Sequence, residues 1–171
     1  VKQLELFQEC YPPAAKKDKE TIRWKLFIDG ASRKNPGKAG AGIYILKEEE
    51  PVSKRGFALG VRTNNQAEYL ALLLGIYLVK KMMHPEDSLY IFSDSELLVK
   101  QISGIYRVRN LELQPLYVCA LHLLDDIKYH CCHIMREQNS IADEMANQGI
   151  DKQTAVPHEF IKLMQEYAIS F

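Results

Sequence analysis

Two short apolar runs each end on an acid: Leu26, Phe27 and Ile28 lead into Asp29, and SLYIFS over Ser88–Ser93 leads into Asp94. Such an acid is informative, because an ionised carboxylate beside an apolar core is costly unless hydrogen-bond donors or a cation stand close to it. Two more acids, Glu68 and Asp143, fall in the first turns of segments with helical apolar spacing. If all four reach one edge, only protonation or hard cations relieve their repulsion, and carboxylate oxygens are the ligands that such cations prefer. Two divalent ions about 3.5 to 4 Å apart would balance the charge and clamp a phosphodiester for in-line attack.

Each acid also has a plainer reading. Glu68 follows Asn65 by three residues and Asp143 follows Ser140 by three, which is the spacing of a capping box. Asp29 and Asp94 could each cap a turn or a helix. The joint arrangement favours the site, since independent caps have no reason to fall at four places facing one edge.

The elements that must position the acids follow from pattern and punctuation. Thr21–Asp29, Ala39–Lys47 and Val52–Leu59 read as three strands with short connections, hence an antiparallel meander. Asn64–Met83 is a helix with apolar residues on most sides, stopped by Pro85. Ser88–Ser93 is a fourth strand, followed by a helix from Ser95 to about Ile102 that Gly104 closes. After the basic loop Tyr106–Asn110 come a helix over Gln114–Ile127, a fifth strand over Tyr129–Met135 and a helix over Ser140–Gln148. Val156–Phe171 reads as a terminal helix that packs on the body or, alternatively, binds a protein partner. Right-handed crossovers set strands one, four and five parallel and adjacent. Asp29 and Asp94 then share the carboxyl edge, where open α/β sheets bind ligands.

The chain has 171 residues, 47% of them apolar, which suits one substantial core. Residues 1–20, with Pro12-Pro13, read as an arm and linker, 21–150 as the core domain and 151–171 as a helical extension. Twenty-two basic residues balance twenty-two acidic ones, so a nucleic-acid partner must be gripped by a local patch rather than a global field. Lys34, Lys38, Arg107 and Arg109 are candidates for that patch, with scattered surface charge as the alternative. The four cysteines lack metal-ligand spacing, which points to a reducing, cytoplasmic compartment. No apolar run is long enough to span a bilayer and Val1–Cys10 has no signal-peptide pattern, so no membrane role is expected.

Four stretches together resemble the type 1 ribonuclease H family: IDGASRKNPGKAGAG around Asp29, TNNQAEYLAL around Glu68, IFSDSELLVKQI around Asp94 and REQNSIADEMAN around Asp143. They cover about Leu26 to Gly149. The resemblance implies a ribonuclease H-like α/β fold, a five-stranded mixed sheet of order 3-2-1-4-5 with strand 2 antiparallel, flanked by helices. It implies an endonuclease that cuts the RNA strand of RNA/DNA hybrids with two Mg2+ ions, Mn2+ being an alternative, held by Asp29, Glu68, Asp94 and Asp143. A related metal nuclease of the same fold and an inactive nucleic-acid-binding module are the rival readings. By the same resemblance Ser32, Asn35, Asn64 and Asn65 contact the minor groove and sugars, and Thr63 with Arg62 contacts a DNA phosphate. Glu96 stands where relatives often have an amide. The histidine-bearing loop before the last acid is missing, as is the basic protrusion, since only Ile105–Leu113 separates the two middle helices. The chain thus resembles the short-loop, archaeal-type branch, with His133 a strand residue and Arg136 the functional replacement. A monomer is expected.

Overall fold

The structure is a computed structural model that describes residues 21–171. The arm expected over Val1–Glu20 lies outside the described residues. Strands β1 (Arg23–Ser32), β2 (Gly37–Lys47) and β3 (Glu50–Arg62) form the meander, and helix α1 (Asn64–Lys80) crosses to β4 (Ser88–Ser93). Helices α2 (Glu96–Ile102) and α3 (Gln114–Leu124) lead to β5 (Lys128–His133). A 3-10 turn at Arg136–Asn139 then runs into α4 (Ser140–Lys152), and α5 (His158–Glu166) follows. The sheet has the expected order, β3-β2-β1-β4-β5. β2 is antiparallel to both neighbours, while β1, β4 and β5 run parallel.

β1 does not stop at Asp29. Its pairing with β2 continues through Asp29↔Gly42 to Ser32↔Ala39, whereas its pairing with β4 ends at Phe27↔Phe92. The two parallel strands therefore part just before Asp29 and Asp94, and the acids stand in the opening. Other boundaries moved for similar reasons. β3 extends to Arg62 because β2 keeps pairing with it as far as Gly37↔Arg62. β5 ends at His133 rather than Met135, since the next amide, Ile134 N, donates sideways to Ser93 O (2.9 Å) and the chain turns into the 3-10 segment. α4 runs past Gln148 to Lys152, where Gln153 adopts a left-handed conformation (φ 54°). α3 and α5 are shorter than their apolar spacing suggested.

Alternation along β1 divides its side chains between two helical layers. Leu26, Ile28 and Gly30 face α1, whose Gly75 lies against Leu26 and Ile28. Phe27 and Asp29 face the opposite side, where α4 crosses. Gly42 is the partner of Asp29 in β2, and a Cβ there would run into the carbonyl of Ala142 in α4. Glycine at position 42 thus lets the helix that carries Asp143 lie directly on the sheet. α1 is buried on most sides, from Ala67 to Val79, between the sheet and α3. α5 adds Phe160 and Met164, both fully buried, to the same core, and the Phe160 ring meets Tyr77 of α1 at 5.5 Å.

Substituting Gly42→Ala should lower unfolding stability by about 1–3 kcal/mol, because the obstructing atoms are backbone that cannot rotate aside. Urea denaturation reads this as a lower midpoint at unchanged slope. An unchanged midpoint would mean that α4 sits farther from β2 than the structure places it.

Candidate active site

Three acids from three elements meet at the opening between β1 and β4. Asp29, Glu68 and Asp94 each bring a carboxylate oxygen within 4.8 Å of the others. They line an open cleft of about 520 Å³ together with Asp143, Ser32, Asn64, Asn65 and Arg136. Glu68 reaches the edge from the first turns of α1, and its Oε2 accepts the Gly30 N–H at 3.1 Å. Asp143 is at the rim, outside the close group of three, with an oxygen 3.8 Å from Arg136 Nη2.

The helix-capping alternatives do not hold for Glu68, Asp94 and Asp143. α1 is capped by Thr63, whose hydroxyl accepts from Gln66 N while Gln66 Oε1 accepts from Thr63 N. α2 is capped by Ser95, whose hydroxyl accepts from Leu98 N, leaving Asp94 one residue outside the helix. α4 begins after Asn139 with no side-chain cap, so Asp143 does not close a box with Ser140.

The electrostatics are those of like charges held close together and partly removed from water. Burial, then the charges of Asp94 and Asp143, raise the Asp29 pKa from 3.8 to about 7, with Arg136 opposing. Burial, then Asp29 and Asp94, push Glu68 well above its ordinary value, with the Gly30 N–H opposing. The donor set consists of carboxylate oxygens and fits a hard divalent cation such as Mg2+ or Mn2+ better than a thiolate- or imidazole-seeking metal.

The polar residues expected around the acids divide into two groups. Ser32, Asn64, Asn65 and Arg136 line the cleft. Asn35, Arg62, Thr63 and Glu96 are not among the residues that line it. Asn35 Oδ1 accepts the Asn64 N–H (3.0 Å), which ties the β1–β2 turn to the start of α1, and the Ser32 hydroxyl rests against the carbonyls of Lys34 and Arg62. Glu96 is ion-paired with Lys100 one helical turn on, at 2.5 Å. His133 ends β5 and also lines the cleft, with Nε2 3.3 Å from the Asp94 carbonyl.

Asn139 escaped the sequence reading. It is 1% exposed, and its Nδ2 donates to the Ile28 carbonyl (2.8 Å), pinning the 3-10 turn beneath β1 one residue before Asp29. An asparagine in a polar stretch ahead of a helix reads as a turn former, and no local pattern marks it as buried.

A family model described as reverse transcriptase-like matches residues 27–149. A ribonuclease H of Coxiella burnetii is 30% identical over 142 residues, 74% of this chain and 89% of that protein. The chain belongs to the ribonuclease H family. As a family member it is also similar to a bifunctional protein of Mycobacterium tuberculosis, 35% identical over 128 residues, or 72% of this chain. It spans only about a third of that relative's length, the match covering 34% of it. Among solved structures, LC11-RNase H1, isolated from compost and crystallised in complex with an RNA/DNA hybrid, superposes with a TM-score of 0.70 at 32% identity, covering 77% of this chain and 98% of that one. Among the described residues of this ribonuclease H-family chain, no helix is long and apolar enough to cross a membrane.

The raised Asp29 pKa fixes the sign of a pH effect. Between 3.8 and about 7 the folded protein holds a proton that the unfolded chain has released, so stability without metal falls as pH rises through that window and levels off above it. Thermal unfolding in a chelator should therefore show Asp29→Asn more stable than the parent at pH about 8, with the difference vanishing near pH about 4. Added Mg2+ should raise the parent's Tm at the higher pH and leave the variant nearly unmoved. Equal pH profiles for the two proteins would contradict the electrostatic picture.

Proposed function

We propose that this chain is an endonuclease that hydrolyses the RNA strand of RNA/DNA hybrids, leaving a 3′-hydroxyl and a 5′-phosphate, with Mg2+ as its working ion and Mn2+ able to replace it. The observation that carries this reading is the Asp29–Glu68–Asp94 cluster with Asp143 at its rim. Similarity to LC11-RNase H1, crystallised with such a hybrid, supports the substrate class.

In this reading Asp29, Glu68 and Asp94 would hold one ion, and Asp29 with Asp143 would hold a second. A bound pair of divalent cations supplies acidified water for attack and charge to offset that on the departing 3′-oxygen. The chain's own residues supply geometry. Gly30 N–H fixes the Glu68 carboxylate, Asn139 holds the strand ahead of Asp29, and Arg136 steadies Asp143. Ser32, Asn35, Asn64 and Asn65 are short polar groups suited to 2′-hydroxyls and sugars across a wide, shallow minor groove. Arg62 and Thr63 take a DNA phosphate, and Glu96 and Arg136 flank the RNA.

The chain fits the short-loop branch of the family. Only Ile134–Asn139 joins β5 to α4, with no histidine-bearing loop, and 103–113 joins α2 to α3 without a basic protrusion. We take 21–150 as the catalytic unit and 151–171 as an extension packed on it, and the working form as a cytoplasmic monomer.

Internally labelled hybrid, duplex DNA and duplex RNA, each with Mg2+ and with chelator, test this reading. Internal cuts confined to the RNA strand of the hybrid are expected, and only with metal. Asp29→Asn and Asp94→Asn should each lower kcat by about a thousandfold or more while hybrid affinity in Ca2+ stays near that of the parent. Cuts only from an end would indicate an exonuclease, and binding without turnover an inactive module.

A further inference from the structure

The Arg62 guanidinium, one residue before the Thr63 cap, is held by a segment far away in the chain. Its Nε donates to the Leu59 carbonyl (3.0 Å) and its Nη2 to the Ser170 carbonyl (2.6 Å), 108 positions away in sequence. The guanidinium carbon lies 5.1 Å from the centroid of the Phe171 ring. That ring meets Phe160 edge-on at 5.7 Å, and Phe160 is fully buried in the core against Tyr77. The segment after α5 is thus anchored in the core at one end and lies across Arg62 at the other. Residues Ala168, Ile169 and Ser170 share a small cavity with Arg62 and Gln66.

Arginine carries five N–H donors in a planar fork, of which these bonds use two. The rest stay available while the plane of the fork is fixed. Partial burial lowers the Arg62 pKa, yet an arginine stays charged throughout the working pH range. A free arginine would have to give up rotamer freedom each time it gripped an anion, whereas one already bound and stacked has little left to lose. The fork lines the cavity beside the segment after α5, while its backbone adjoins the cleft: the Arg62 carbonyl accepts from the hydroxyl of the cleft residue Ser32 (2.8 Å), and Asn64 and Asn65, two and three positions on, line the cleft.

We propose that Ser170 and Phe171 are positioning residues, which hold the Arg62 guanidinium so that its open N–H edge grips a backbone phosphate of the bound hybrid. This rests on the hybrid-nuclease reading and adds to it a role for the segment after α5.

The test uses the full chain as parent, Phe171→Ala, Phe171→Tyr, Arg62→Ala and the Arg62→Ala/Phe171→Ala double variant. The Nε–H resonance of Arg62 should be protected from solvent exchange in the parent and lose that protection in Phe171→Ala. With hybrid, Phe171→Ala should raise KM about threefold to tenfold at unchanged kcat. In Ca2+ it should reduce the slope of log affinity against log salt toward that of Arg62→Ala, a drop of about one. The double variant should be no worse than Arg62→Ala, and Phe171→Tyr, which keeps the ring, should restore parent values. A parent-like KM and salt slope in Phe171→Ala, a fully additive double variant, or tighter binding once the ring is gone would each overturn the proposal. If the parent itself neither binds nor cuts hybrid, the nuclease reading falls and the phosphate role with it, while the Nε–H signal still reports whether the ring orders the arginine.

Discussion

The structure depends on carboxylates crowded at one sheet edge, with Asp29 at their centre almost wholly removed from water. Two buried aspartates show what this means. Asp87, 2% exposed, accepts hydrogen bonds from Ile22 N, Trp24 Nε1 and His84 N. Burial alone would raise its pKa, but the bonds from His84, Trp24 and Ile22 outweigh it and hold the acid below its ordinary value. Asp29, 5% exposed, faces Asp94, Glu68 and the charge of Asp143 instead, and burial and repulsion push it the same way. One acid fastens the start of β1 to the turn before β4. The other carries a repulsion that a proton or a cation relieves.

Two close backbone approaches bring the acids toward a single point. A Cβ at Gly30 would strike the backbone of Ala67 and Glu68, and one at Gly42 would strike Ala142. α1 and α4 therefore lie against opposite faces of the same two strands with little between them, and each delivers an acid around the edge where β1 and β4 part. If side chains at 30 and 42 held the helices farther off, the acids would stand too far apart to share an ion. The cluster is thus a consequence of packing distance as much as of residue type.

What could be read from the sequence follows the same division. Asp29 and Asp94 were legible because an apolar run ending on an acid is a local pattern, and so was the sheet order, which follows from connection lengths and crossover hand. The motifs around Glu68 and Asp143 were legible as motifs, but spacing alone could not separate ligand from cap. The structure gives the cap of α1 to Thr63 and no side-chain cap to α4, which removes the capping role for both acids. Strand ends were misjudged where a partner strand, rather than the strand's own residues, decides how far pairing continues, as with β1 past Asp29 and β3 to Arg62. Asn139 and the Arg62–Phe171 stack were invisible, because each is a contact between residues more than a hundred positions apart.

The fourth acid obeys different physics from the other three. Asp143 keeps 38% of its side chain exposed and leans on an arginine that is 80% exposed. An ion pair so open to water is worth only about 0–1 kcal/mol, so it biases the position of Asp143 without locking it. Among the inner three, Asp29 is fixed by burial in β1 and Glu68 by the Gly30 N–H. The cleft accordingly has a rigid floor and an adjustable rim. The ion pair at the rim costs little to break, so Asp143 can shift its position where the floor cannot.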